Sequence, residues 1–195
     1  MKNVCAVILA AGEGTRMKSS KPKVMAQVLF KPMIDWVASA AEKGGVEDIC
    51  IVKGYKAEIL EEHLCGRYET VLQAQRLGTG HAVMQAESFI KAHMDGDVLI
   101  LNGDAPLMDS ETISSALEYH RNNASDATVI SAKVANPFGY GRILRGENSD
   151  VKAIVEQKEA TDEQKKIDEV NSGAYWFSAE ALLTALDSLA KNHSD

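Results

Sequence analysis

Two glycines, two cations and a carboxylate carry the chemistry of this chain. Gly12 and Gly14 follow the apolar run Val4-Cys5-Ala6-Val7-Ile8-Leu9. Without a Cβ, they let a ligand approach the peptide N–H groups closely. Arg16 and Lys23 bring two positive charges to the same mouth, and Pro22 stiffens the approach to the second. Amides and cations together suit a polyphosphate. Asp104 ends a second apolar run, Val98-Leu99-Ile100-Leu101, after Asn102-Gly103. A carboxylate there suits a hard divalent cation, which takes oxygen from one or two acids and from substrate phosphates. The same carboxylate also suits a helix cap or a turn.

Two familiar phosphate loops are excluded. A Walker loop requires glycine, four residues, then Gly-Lys-Ser/Thr, and no such run occurs. A dinucleotide fingerprint requires a third glycine where Met17 stands, with a helix starting at once. Here Ser19-Ser20-Lys21-Pro22 predicts a long irregular loop instead. Taken alone, Gly12 and Gly14 fit equally well a strand-to-helix turn flanked by solvated bases.

The bulk composition narrows the class. The chain has 195 residues, 45% apolar and 25% charged, ordinary for a globular protein that buries its core as one domain, 1–195. A net charge of −7 argues against a nucleic-acid partner, which needs a basic face. No run approaches the length of a membrane span and the N-terminus opens into a strand, so no membrane and no signal peptide are expected. Cys5, Cys50 and Cys65 lack metal-ligand spacing, and the first two sit in apolar strands as core residues of a cytoplasmic protein. His81 reads as structural, and His63, His93, His120 and His193 form no ligand pair.

Strand-like runs at 4–10, 48–52, 97–102 and 127–134 alternate with amphipathic segments at 35–43, 58–64, 79–93 and 111–120. This pattern predicts an α/β fold, a mostly parallel sheet with helices on both faces. Past Pro137, three strand-like runs follow in succession, 142–145, 151–156 and 169–177, predicting a small antiparallel addition. A leucine-faced helix, 179–190, comes last. In such sheets ligands bind beyond the carboxyl ends of the strands. Gly12 and Asp104 both follow strands, so both are expected in one crevice.

The loop Leu9-Ala10-Ala11-Gly12-Glu13-Gly14-Thr15-Arg16-Met17 with Pro22-Lys23-Val24 resembles the signature of sugar-1-phosphate nucleotidyltransferases. Four later blocks match in the family's order: Leu72-Gln73-Ala74 with Leu77-Gly78-Thr79-Gly80-His81-Ala82; Gly103-Asp104-Ala105-Pro106-Leu107; Gly139-Tyr140-Gly141-Arg142-Ile143; and Ile154-Val155-Glu156-Gln157-Lys158 with Asn171-Ser172-Gly173. The likeness is strongest to the N-terminal uridylyltransferase domain of the bifunctional N-acetylglucosamine-1-phosphate uridylyltransferase / glucosamine-1-phosphate acetyltransferase family.

The resemblance implies a Rossmann-like nucleotidyltransferase fold and Mg2+-dependent transfer of UMP from UTP to N-acetylglucosamine-1-phosphate, a cell-wall precursor step. It places Arg16 at the pyrophosphate leaving group, Lys23 at the reacting phosphates and Asp104 on Mg2+. Leu9, Ala10, Ala11, Gly12, Gly14, Gln73, Gly78 and Thr79 fall to the nucleotide, and Gly103, Gly141, Glu156 and Asn171 to the sugar. The family's usual tyrosine before Gly-Asp is Asn102 here. The family's domain also continues past the last helix, supplies a second metal ligand there, and precedes an acetyltransferase domain that assembles as a homotrimer. On that likeness the chain reads as a truncated piece, with no acetyl transfer expected of it. Another sugar-1-phosphate nucleotidyltransferase, or a nucleotide-sugar-binding fragment without turnover, fits the same loop.

Overall fold

The computed structural model describes every residue except 1–2, 15–16, 18–20, 148–149 and 193–195. The chain forms two compact units, one from Met1–Thr128 with Tyr175–Asp195 and one from Val129–Ala174. In the first unit the elements run β1 (Val4–Ala10), a short hairpin of β2 (Gln27–Val28) and β3 (Lys31–Pro32), α1 (Met33–Lys43), β4 (Asp48–Lys53), α2 (Ala57–Leu64) and β5 (Glu69–Leu72). Then come α3 (Thr79–Met84), α4 (Glu87–Ala92), β6 (Asp97–Asn102) and α5 (Ser110–Asn122). Strand β7 (Ala127–Lys133) leads into the second unit, through β8 (Arg142–Arg145) and β9 (Val151–Val155). Strand β10 (Glu169–Ser178) leads back to α6 (Ala179–Asn192).

In the first unit β1 pairs in parallel with both β4 and β6, with Val7 opposite Cys50 and Ile8 opposite Leu101. Parallel β5 flanks β4, and the end of β10 lies antiparallel on β6, with Trp176 opposite Leu99. Alternate strand residues point to opposite faces. Cys5, Val7, Cys50, Val52, Val98 and Ile100 pack with residues of α3, α4 and α6, among them Ala82, Phe89, Ile90 and Leu182. The intervening Ala6, Ile8, Ile49, Ile51 and Leu99 are equally buried, on the face opposite. The buried side of α1 carries Ile34, Val37 and Ala38, and α1 packs on β1 and α5. The sheet is therefore covered on both faces, as the periodicity predicts.

Two local expectations are corrected. The single helix expected over 79–93 is two short helices. Gln85 and Ala86 donate to the carbonyls of Ala82 and Val83, three residues back, at 3.2 and 2.9 Å. That tightened turn re-aims the second half, so that Ala82, Val83, Ala86, Phe89 and Ile90 all stay buried. Strand β5, Glu-Thr-Val-Leu, has no predicted counterpart, because a short half-exposed edge strand shows little apolar periodicity.

In the second unit β8 and β9 form an antiparallel pair with an irregularity at Leu144/Arg145, and β10 pairs with β8 through Val170 and Arg142. Ser172 Oγ donates to the Ile130 carbonyl at 2.5 Å. Among the described residues, no helix is long and apolar enough to cross a membrane.

Candidate active site

Strand β1 has neighbours on both sides, so the chain reverses its direction of growth there and leaves a crevice beyond its carboxyl end. The loops after β1 and β6 border that crevice. The Gly103 N–H donates to the Leu9 carbonyl at 2.9 Å, and Tyr55 donates to Ala11 at 3.2 Å, so three loops are tied together at their roots. A cavity of about 320 Å3 opens beside the loops that follow β1, β5 and β6, lined by Leu9, Ala11, Gly12, Lys23, Gln73, Gly78, Thr79 and Asp104. Residues far apart in sequence thus meet in one cavity.

Gly14 is a required glycine. Its φ is +63°, and a Cβ there would stand 2.6 Å from the Cβ of Lys23. The loop can therefore lie directly against Lys23, which Pro22 launches into a single 3-10 turn, Lys23–Met25. The Lys23 ammonium makes direct ion contact with the Asp104 carboxylate, and both side chains stay partly exposed. Despite the net negative charge, the cavity holds a fixed cation beside an acid. Arg16 lies outside the described residues. Ala10 is the buried last residue of β1, and Gly103 is packed against the Leu9 carbonyl and Ile34.

Gln73 follows β5 and is 5% exposed. Its Nε2 donates to the Gly78 carbonyl at 3.1 Å and faces His81 Nδ1 at 3.0 Å. Gly78, at φ +102°, starts α3, so one glycine both ends the loop and anchors the glutamine. His81, expected to be structural only, thus holds a cavity residue. Arg76, from the same loop, pairs with Glu13 of the glycine loop at 2.8 Å. The Glu13–Arg76 pair has no signal in sequence, since it links two loops brought together by the sheet, and the Gln73–His81 contact depends on how the β5–α3 loop closes.

In the second unit Gly141, Glu156 and Asn171 converge. The Asn171 N–H donates to the Gly141 carbonyl at 2.9 Å, and a Cβ on Gly141 would meet Glu156 Oε1 at 2.9 Å. Arg142, 1% exposed, lies beneath them. Its guanidinium donates to the Tyr140 carbonyl and to Gln157 Oε1, the latter at 2.8 Å, bracing the loop that carries Gly141. This arginine sits within a sequence block noted for its glycines, and only its burial reveals the brace.

No group of three or more His, Cys, Asp or Glu residues among those described could hold a metal by itself. Burial pushes the thiols of Cys5 and Cys50 up to about 12, which leaves them as core packing rather than nucleophiles.

Residues 5–195 match the sequence profile of the family described as nucleotidyl transferase. The chain belongs to that family. As a nucleotidyl transferase it transfers a nucleotidyl group, which accords with a cavity holding a glycine loop, a cation and an acid. Among curated proteins it is 44% identical over 194 residues to the bifunctional protein GlmU of Acetivibrio thermocellus, with all of the chain and 42% of that protein covered. It is 43% identical to GlmU of Clostridioides difficile, covering 98% of the chain and 41% of the relative. It is 46% identical to GlmU of Clostridium novyi, covering 97% and 41%. The chain thus spans about two-fifths of the length of these relatives.

Proposed function

We propose that this nucleotidyl transferase moves UMP from UTP to N-acetylglucosamine-1-phosphate, giving UDP-N-acetylglucosamine and pyrophosphate. The observation that carries the reading is the single cavity in which Gly12, Lys23, Gln73 and Asp104 meet. A phosphate oxygen of the sugar phosphate attacks the α-phosphorus of UTP in line. The bond from that phosphorus to the bridging oxygen breaks, and pyrophosphate carries the electron pair away. The attacking oxygen is already anionic, so no general base is required. Negative charge gathers on the non-bridging and leaving oxygens, where Lys23 stabilises it from beside Asp104, and Arg16 does so by resemblance.

Asp104 suits the role of Mg2+ ligand. A partly exposed carboxylate lining the cavity beside Lys23 fits a cation that completes its shell with substrate phosphates and water. Bound there, Mg2+ would supply charge neutralisation on the phosphate oxygens. In the second unit Gly141, Glu156 and Asn171 offer a close backbone approach, a carboxylate and an amide, suited to an amino sugar's hydroxyl and acetamido groups.

The test is pyrophosphate release from UTP and N-acetylglucosamine-1-phosphate with Mg2+, set against CTP, GTP and other sugar phosphates. Release with a different pair reassigns the substrates within the family. Binding without release identifies a nucleotide-sugar-binding module instead.

A further inference from the structure

The Gln73 amide is held by two groups whose chemistry fixes its orientation. A carbonyl can only accept, so Gly78, 3.1 Å away, requires the nitrogen end of the amide to face it. The same nitrogen faces His81 Nδ1 at 3.0 Å. Its second hydrogen finds a lone pair there only if the imidazole proton is on Nε2. Gln85 approaches that Nε2 through its own amide nitrogen at 3.4 Å, but its shorter contact is with the His81 carbonyl at 3.1 Å. A neutral imidazole has one lone pair, and the closer partner, Gln73, takes it. Both Gln73 hydrogens are then used, and only Oε1 remains to meet a ligand in the cavity that Gln73 lines.

We infer that His81 is a specificity-determining residue that selects the base by holding Gln73 as a pure acceptor. This deepens the uridine reading above and rests on it. Uracil offers a donor at N3, whereas cytosine offers a lone pair there. Oxygen facing that lone pair leaves two polar groups unpaired in a largely desolvated place, the situation that gives strong discrimination. Without His81 the amide keeps one of its two anchors, and it can turn about χ3 away from Gly78 as a planar unit. Its nitrogen then comes to face the base, where it can donate to cytosine.

Calorimetric titration of the whole chain with UTP and with CTP reads this directly. The wild type is expected to favour UTP, and His81→Leu to narrow the UTP/CTP ratio by about tenfold or more. His81→Asn, whose side-chain oxygen stands near the lost Nδ1, should recover most of the ratio. A His81→Leu protein that melts like wild type and keeps the full ratio overturns the inference while leaving the uridine reading intact. If that variant does not fold, nitrogen-15 spectra of the wild-type imidazole decide. A proton on Nε2 with bare Nδ1 supports the inference, and a proton on Nδ1 overturns it. A wild type indifferent between UTP and CTP removes the uridine reading, and this inference with it.

Discussion

Gly141 and Glu156 are packed so closely that any side chain at position 141 would collide with the carboxylate: an added Cβ lies 2.9 Å from Glu156 Oε1 and 3.1 Å from Ile154 Cγ2. Gly141→Ala should therefore displace Glu156 rather than the strand, because the carboxylate is the movable end of a flexible side chain. The expected result is weaker binding of N-acetylglucosamine-1-phosphate or UDP-N-acetylglucosamine by roughly tenfold or more, the scale of one misplaced polar contact. UTP binding should be unchanged. Parallel titrations with nucleotide and with nucleotide sugar separate the two, and an equal loss for both would count against the sugar-site assignment.

The Lys23–Asp104 pair is partly exposed, with side-chain accessibilities of 42% and 31%. An ion pair so placed adds less than about 1 kcal/mol to folding. Lys23→Ala and Asp104→Ala should each melt within a few degrees of wild type, yet each should slow pyrophosphate release by about 10²–10³-fold. Melting curves beside turnover measure this, and full activity in Asp104→Ala would end the metal-ligand assignment.

Glu169 bonds Arg145 through Nε at 2.9 Å and Nη2 at 2.5 Å, and it also accepts from Ser131 Oγ at 2.6 Å. The Arg145 hydrogen bonds, aided by Ser131, hold its carboxyl down at about 2, against an ordinary 4.5. With a folded value below the unfolded one, the ionised carboxylate stabilises the native state above about pH 4.5. That stabilisation fades as the pH falls from about 4.5 toward 2. The guanidinium is 43% exposed, so the contribution is reduced by solvent to roughly 1–2 kcal/mol. Glu169→Gln should lower the melting point at pH 7 and converge on wild type near pH 2–3, followed by circular dichroism. A constant difference across that range would contradict the linkage.

The three cysteines should divide by environment. Cys65 is exposed, whereas Cys5 and Cys50 are buried and their thiols are pushed up to about 12. A disulfide-exchange reagent at pH 8 should titrate one thiol in the native chain and three after unfolding. Rapid native reaction of a second thiol would show that the sheet opens far more readily than its packing suggests.

Much of the architecture was legible because its signals are local. An unbroken apolar run marked β1 and the centre of β6, since a strand covered on both faces leaves little room for polar side chains between its ends. Glycine, proline and charge marked the loop at Gly12–Gly14 for the same reason: backbone freedom and its loss are properties of single residues. The break within 79–93 was not legible, because it answers the sheet beneath the helix rather than any residue in it. Edge strand β5 carries no such signal, because its residues alternate little and are half exposed.

By itself, then, the sequence determined the alternation of strands and helices, the glycine-and-cation make-up of the first loop and the kinds of side chain supplied to the site. Hydrophobic period, glycine and charge act within a few residues of one another, and order along the chain suffices to read them. Only the tertiary structure decided which side chains touch: Lys23 with Asp104, Gln73 with His81, Glu13 with Arg76, Gly141 with Glu156. Those contacts depend on sheet order and on how each loop closes, which set spatial neighbours that no stretch of sequence marks by itself.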